Sequence, residues 1–230
     1  MSLSKLEPIR GGSLGGLVID AIRDAIYSGR FQPGEPVREL QLAKELRVSQ
    51  TTVREALLQL EHDGLVVREA NRGTRVTSLA ENEIRERVEV RIVLETSAAL
   101  EAAKRFSPAG LDQLSACMKR IGDSVKRNEY FEAAQSDLEF HRLIWETSGN
   151  RTLYRLLDQL TAPLFAFLSV RQSGDMADLR RRVQSHEPIF EALNSRKSAK
   201  VRASVRDHLL ISYRQYLDNS SSNRGNHENS

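Results

Sequence analysis

Apolar positions along this chain change their period, and the changes mark out its parts. Ile19, Ile22 and Ile26 repeat at helical spacing over 17–27, and the loop at 29–34, with its Pro33-Gly34 pair, ends that helix. Leu40, Leu42, Ala43 and Leu46 form the apolar face of a second short helix. Val53, Ala56, Leu57 and Leu60 form that of a third. Between them lies Arg47-Val48-Ser49, with Ser49 a good N-cap for the third helix. Gly64 then suits a helix C-terminus. Two β-type runs, Leu65-Val66-Val67 and Thr74 to Thr77, flank the turn sequence at 69–73 and predict a hairpin with a basic tip.

From about Ala80 the β-type runs disappear and helical spacing continues to Leu217. The breaks predict six helices, at 81–105, 108–126, 129–147, 151–171, 176–195 and 198–217. Pro188 sits oddly inside the fifth, because proline is tolerated in a first turn but kinks a longer helix. The chain therefore reads as mainly α. A winged helix-turn-helix occupies 14–78, an all-α bundle occupies 79–218, and the ends at 1–13 and 219–230 are expected to be disordered. No internal repeat is present.

Composition narrows this picture only a little. A chain of 230 residues accommodates one large domain or two modest ones. The net charge of +3 is small for a nucleic-acid binder, so DNA binding has to rest on locally placed charge at Arg54, Arg72 and Arg75. The single cysteine, Cys117, excludes an internal disulfide and fits a reducing compartment; among Leu114, Met118 and Ile121 it reads as a buried structural thiol. No apolar run reaches membrane-spanning length, and 1–16 lacks the apolar core of a secretory signal. The expectation is a cytoplasmic protein without a membrane partner.

Two sets of residues carry candidate chemistry. A helix-turn-helix places the N-terminal side chains of its second helix in the major groove of DNA, here Ser49, Gln50, Thr51, Thr52 and Arg54. On the two helices alone an ordinary helical hairpin is an equal reading; the wing beyond them favours DNA. In the bundle, Asp137 and His141 stand four apart on a face shared with Ala133, Phe140 and Ile144, so both point inward. His186 belongs to an apolar stripe with Ile189, Phe190 and Leu193, and His208 to one with Val201, Val205 and Ile211. A buried carboxylate needs a partner or a cation. Three imidazoles and a carboxylate suit a divalent transition metal such as zinc, nickel, iron or manganese. Hydrogen-bonded core histidines with an Asp–His ion pair are the alternative.

These residues, taken together, resemble the GntR family of bacterial transcription regulators. The resemblance runs through Ile22-Arg23, Gly29, Pro33-Gly34, Glu39, Leu42-Ala43, Leu46, Val48-Ser49, Val53 to Leu57, Leu60, Gly64-Leu65 and Asn71-Arg72-Gly73. It implies that the wing tip, Asn71, Arg72 and Gly73, meets DNA. Gln50 and Leu40 stand where the family commonly has arginines that contact DNA, so no operator sequence carries over; Arg38 is a candidate phosphate contact in their place. The bundle is similar to the FCD ligand domain of the FadR branch, in its shorter, VanR-like six-helix version. That resemblance implies a metal held by Asp137, His141, His186 and His208. It also implies that Arg91 faces the effector pocket, where it would grip a carboxylate; a surface ion pair with Glu95 at i,i+4 is the equal alternative. The implied function is a homodimeric repressor on a pseudo-palindromic operator, released by a small carboxylate effector bound at the metal. A metal enzyme and a purely structural metal are the competing readings. The first finds no general base beyond the ligands.

Overall fold

The computed structural model describes residues 13–70, 72–171 and 176–217. The expected disorder at the two ends falls outside these residues, apart from Ser13, whose hydroxyl caps helix α1 (Leu14–Tyr27) by accepting from Gly16 N. Helix α2 (Glu39–Leu46) and helix α3 (Gln50–His62) come next. Arg47, in the left-handed region at φ 54°, makes the tight turn between them. Ser49 caps α3 by accepting from Thr52 N at 3.0 Å. The wing is the hairpin β2 (Val66–Glu69) and β3 (Gly73–Val76). A two-residue strand β1 (Pro36–Val37), too short to leave a period in the sequence, pairs antiparallel with β3 and gives the order β1-β3-β2. Ile22, Ile26, Val53, Leu57, Leu60 and Leu65 are almost fully buried and hold α1, α3 and the wing together.

The second half is all helical: α4 (Glu81–Arg105), α5 (Pro108–Lys126), α6 (Tyr130–Thr147), α7 (Arg151–Arg171), α8 (Met176–Gln184), α9 (Glu187–Ser195), α10 (Ser198–Ser212) and the single turn α11 (Arg214–Leu217). Two of the six expected helices are therefore broken. The helix expected over 176–195 divides at Ser185-His186. Pro188 has no N–H to give the carbonyl of Gln184, and its ring would collide with that carbonyl, so α8 stops there. Ser185 N and His186 N close the elbow on Arg182 O and Val183 O at 3.1 and 3.2 Å. The helix expected over 198–217 is interrupted at Tyr213. The expected break at Ser173-Gly174 lies outside the described residues.

The two halves share one continuous apolar core. Helix α1 packs on α3 and also on α7. Gly64, at φ +76°, approaches Pro163 of α7 so closely that a Cβ there would stand 3.0 Å from its Cγ. Gln159 reaches His62 at 3.1 Å. His62, at the end of α3, is thus an inter-domain contact.

Candidate metal centre and DNA-reading face

Helices α6, α9 and α10, with the elbow before α9, bring Asp137, His141, His186 and His208 into one buried cluster. Its potential ligand atoms all lie within 4.8 Å of one another. His186 Nε2 is 2.7 Å from Asp137 Oδ1, His141 Nε2 is 3.5 Å from the same oxygen, and the Nε2 atoms of His141 and His208 are 3.1 Å apart.

What surrounds the rings fixes their tautomers. His186 Nδ1 faces the carbonyl of Val183 at 3.1 Å, which can only accept. His141 Nδ1 faces Glu95 Oε2 at 2.9 Å. Burial opposes ionisation of Glu95, but Arg91 and His141 outweigh it and bring its carboxyl down to about 2, so this partner also only accepts. His208 Nδ1 is 2.7 Å from Ser185 Oγ, and that hydroxyl donates its one proton to Arg182 O at 2.6 Å. All three Nδ1 atoms therefore carry hydrogen, which leaves the three Nε2 atoms, gathered around one carboxylate, as the nitrogens positioned to coordinate a cation. Burial, together with His186 and His141, pushes the His208 imidazole well below its ordinary value, so it resists protonation. For Asp137, burial works against charge, but the imidazoles of His186, His141 and His208 prevail and hold it well below the usual carboxylate range.

Nitrogens gathered this closely around a carboxylate are held either by protons shared with it or by a cation lying between them. A divalent ion with metal–nitrogen bonds of roughly 2.0–2.1 Å separates neighbouring ligand atoms by about 3 Å; the contacts of 2.7, 3.1 and 3.5 Å here lie around that spacing, in a set whose atoms fall within 4.8 Å of one another. The donor set, three imidazoles and a carboxylate without thiolate, fits such an ion. Glu95, Ser185 and the Val183 carbonyl act as outer partners that hold the rings in the metal-binding tautomer.

Arg91 is neither exposed nor paired at the surface. It is 1 % exposed, donates to Glu95 Oε1 from Nε at 2.7 Å, donates to the Tyr213 hydroxyl, and lies 5.7 Å from the Phe165 ring centroid. The i,i+4 pair weighed on sequence exists, but inside the bundle, where Glu95 links it to His141.

On the other half, Gln50, Thr51 and Arg54 are exposed at the start of α3. Ser49 and Thr52 bond to each other through their hydroxyls at 2.8 Å. Glu39 holds two of the other three: Gln50 Nε2 at 3.2 Å, and Arg54 at 3.1 Å through Nε and 3.0 Å through Nη2. Arg38 is exposed at the N-terminus of α2, and Leu40 beside it is 72 % exposed. At the wing tip Arg72 is 75 % exposed and Gly73 adopts φ +78°; Asn71 lies outside the described residues. Arg75, counted among the local charges on sequence, is instead tied to Gly34 O at 3.0 Å.

Family comparison matches both halves. Residues 15–76 match the model of the gntR family of bacterial regulatory proteins, and residues 86–210 match that of the FCD domain. The chain belongs to the GntR family. Among its relatives, the probable D-xylose utilization operon transcriptional repressor of Paenarthrobacter nicotinovorans is 32% identical over 180 residues, 77% of each chain. The uncharacterized regulator YdhC of Bacillus subtilis is 29% identical over 81% of this chain and 84% of its own. The solved structure of Escherichia coli McbR/YncC shares the fold with a TM-score of 0.77 at 19% identity, covering 90% of this chain and 98% of that one.

This GntR protein is thus a DNA-binding transcriptional regulator of the GntR/FCD type, not an enzyme. FCD domains are known to bind metal, and the buried Asp/His cluster is a set that could hold one. Among the described residues no helix is long and apolar enough to cross a membrane. Sequence reasoning passed over Ser185 and Tyr213 and met Glu95 only as an ion-pair partner. An acid within an apolar stretch, four residues from an arginine, was the one available sign of Glu95; nothing local marks Ser185, whose role depends on the elbow.

Proposed function

We propose that this regulator works as a cytoplasmic homodimeric repressor. In this reading Asp137, His141, His186 and His208 hold a divalent transition metal, with zinc, nickel, iron and manganese all compatible with the donor set. A small organic acid binds that metal and weakens operator binding. The single observation that carries the reading is the convergence of three Nε2 atoms on Asp137, each ring oriented by its own Nδ1 partner. The metal supplies a Lewis-acidic position for an anionic oxygen. Arg91, held by Glu95 and Tyr213, is the cation placed to receive the rest of the acid.

The DNA half reads a pseudo-palindromic site with two copies of α3, one per protomer. Gln50, Thr51 and Arg54 face the bases, Ser49 and Thr52 set the helix start, and Arg38 with the tip Asn71-Arg72-Gly73 meets phosphates. Arg54 leaves Glu39 to do so.

A route for coupling supports regulation over a purely structural metal. Helix α6 carries Asp137 and His141 into the cluster, while the adjacent Leu138 and Arg142 line a cavity of about 320 Å³ against Asp20, Arg23 and Tyr27 of α1. Arg23 in turn bonds Asp63, just beyond α3, at 3.2 Å. A shift of α6 on ligand binding therefore reaches the helix on which α3 rests. The incomplete packing between α1 and α6 leaves room for two arrangements.

The test uses an operator recovered by selection from a random duplex library. Its affinity is followed while small carboxylates are titrated into metal-loaded and chelator-treated protein. The expected result is at least one acid that weakens binding by about 5- to 150-fold, only when metal is present. A panel that leaves affinity unchanged in both states would overturn the regulatory part of the reading.

A further inference from the structure

The cluster is buried, yet one of its members, His186, lines a surface cleft. The Ser185-His186 elbow joins two helices, α8 and α9, that both pack on α5. Between α5 and the elbow it leaves a cavity of about 450 Å³, with Ser115, Met118 and Lys119 on one side, Val183, Gln184 and Glu187 on the other, and His186 between them. The ring itself is fixed from both ends, Nδ1 on Val183 O and Nε2 on Asp137. The cleft therefore ends against an ordered ligand residue, whose side chain is 1 % exposed and separates it from Asp137. Lys119 is exposed on the rim with no ion-pair partner among the described residues, and Glu187 is exposed at the start of α9. The rim thus offers a positive charge for an anion and a carboxylate for a divalent cation.

A rival path exists. A cavity of about 640 Å³ is lined by Trp145, Tyr154 and Arg155 at the opposite end of α6, and the Trp145 ring lies 6.1 Å from that of His141. Trp145 lines that cavity, and it is not among the four cluster residues.

We propose that the cleft between α5 and the α8–α9 elbow is the portal through which divalent metal and small anions reach the cluster, with Lys119 drawing the anions in. This rests on the cluster holding metal, as in the function proposed above. Full-length protein is loaded with Co²⁺, and its visible absorption is followed during loading and during extraction by EDTA, an anion, or by 1,10-phenanthroline, which is neutral. Ser115→Trp, a change at an exposed rim position, slows loading and both extractions by about tenfold, the low end of the range over which mutations move association rates, and leaves equilibrium affinity unchanged. Lys119→Glu slows extraction by EDTA by about tenfold and leaves extraction by phenanthroline unaltered. Arg155→Trp, in the rival cavity, changes neither. Wild-type exchange rates in both Ser115→Trp and Lys119→Glu, or slowing by Arg155→Trp alone, overturn the portal while leaving the metal site standing. Failure of the wild-type protein to take up Co²⁺ overturns the metal reading and the portal with it.

Discussion

Replacing Glu95 by glutamine separates two jobs that this side chain does at once. Glu95 and Arg91 are 4 % and 1 % exposed, so the substitution strands a guanidinium inside the bundle with only the Tyr213 hydroxyl and aromatic faces beside it. Removing one partner of a buried pair costs about 3–5 kcal/mol. For a protein of this size, at roughly 2–4 °C per kcal/mol, that is a fall in Tm on the order of 10 °C. The second job is to accept from His141 Nδ1 at 2.9 Å. A neutral amide orients the ring less firmly and lowers its basicity, and loss of such an outer partner typically weakens metal binding by about 10–100-fold. The chain's single tryptophan, Trp145, is 1 % exposed and packs near His141, so its fluorescence reports unfolding of this region in denaturant. Adding Arg91→Met to Glu95→Gln removes the stranded charge and should restore most of the stability but not the metal affinity. A Glu95→Gln variant that unfolds within about 1 kcal/mol of wild type, against the 3–5 kcal/mol expected for a stranded buried charge, and binds Co²⁺ equally well, would refute both assignments.

Gly64→Ala forces a Cβ into a left-handed position 3.0 Å from Pro163 Cγ, and should cost about 1–2 kcal/mol in denaturant unfolding while blunting any effector response; unchanged stability would mean that the inter-domain contact gives way freely. Arg72→Ala should weaken operator and non-operator DNA alike and lower the slope of log affinity against log salt by about 1; an unchanged slope would remove the wing tip from the phosphate contacts. Burial pushes the Tyr27 phenol up to about 12, against the pull of Arg142, so its contribution to stability is complete below the ordinary value of 10.0 and is lost as pH climbs toward about 12. Tyr27→Phe should accordingly delete a late-ionising component from the alkaline ultraviolet titration; deletion of a component titrating near 10.0 would contradict the buried placement.

The winged helix was legible because its signals are local. Ser49 as N-cap, the apolar face of α3, that of α2 apart from Leu40, which is exposed, and the two β runs each come from a few adjacent residues. The four cluster residues were also legible, because a polar side chain in an apolar stripe is conspicuous at helical spacing. What escaped was whatever depends on distant residues meeting. Strand β1 exists only because β3 comes to pair with Pro36 and Val37. Pro188 showed that something was wrong with a helix through 176–195, but not that Ser185 would turn toward His208. Arg91 and Glu95 were seen as an i,i+4 pair, yet whether such a pair faces water or the core is decided by Tyr213 and Phe165, which are far away in sequence. The role of Glu39 as the clamp on Gln50 and Arg54 was hidden in the same way, since it spans the turn between two helices.

The central claim is that Asp137, His141, His186 and His208 together hold a divalent ion. Its most direct test is the metal-to-protein ratio of the full-length chain, measured by elemental analysis after exhaustive dialysis against metal-free buffer, beside the same measurement on Asp137→Ala and His208→Ala. The account predicts a ratio of ~1 for the wild type, one cluster per chain, and loss of bound metal in both variants, each of which deletes one of only four ligands. A wild-type protein that retains no more metal than the two variants would contradict it.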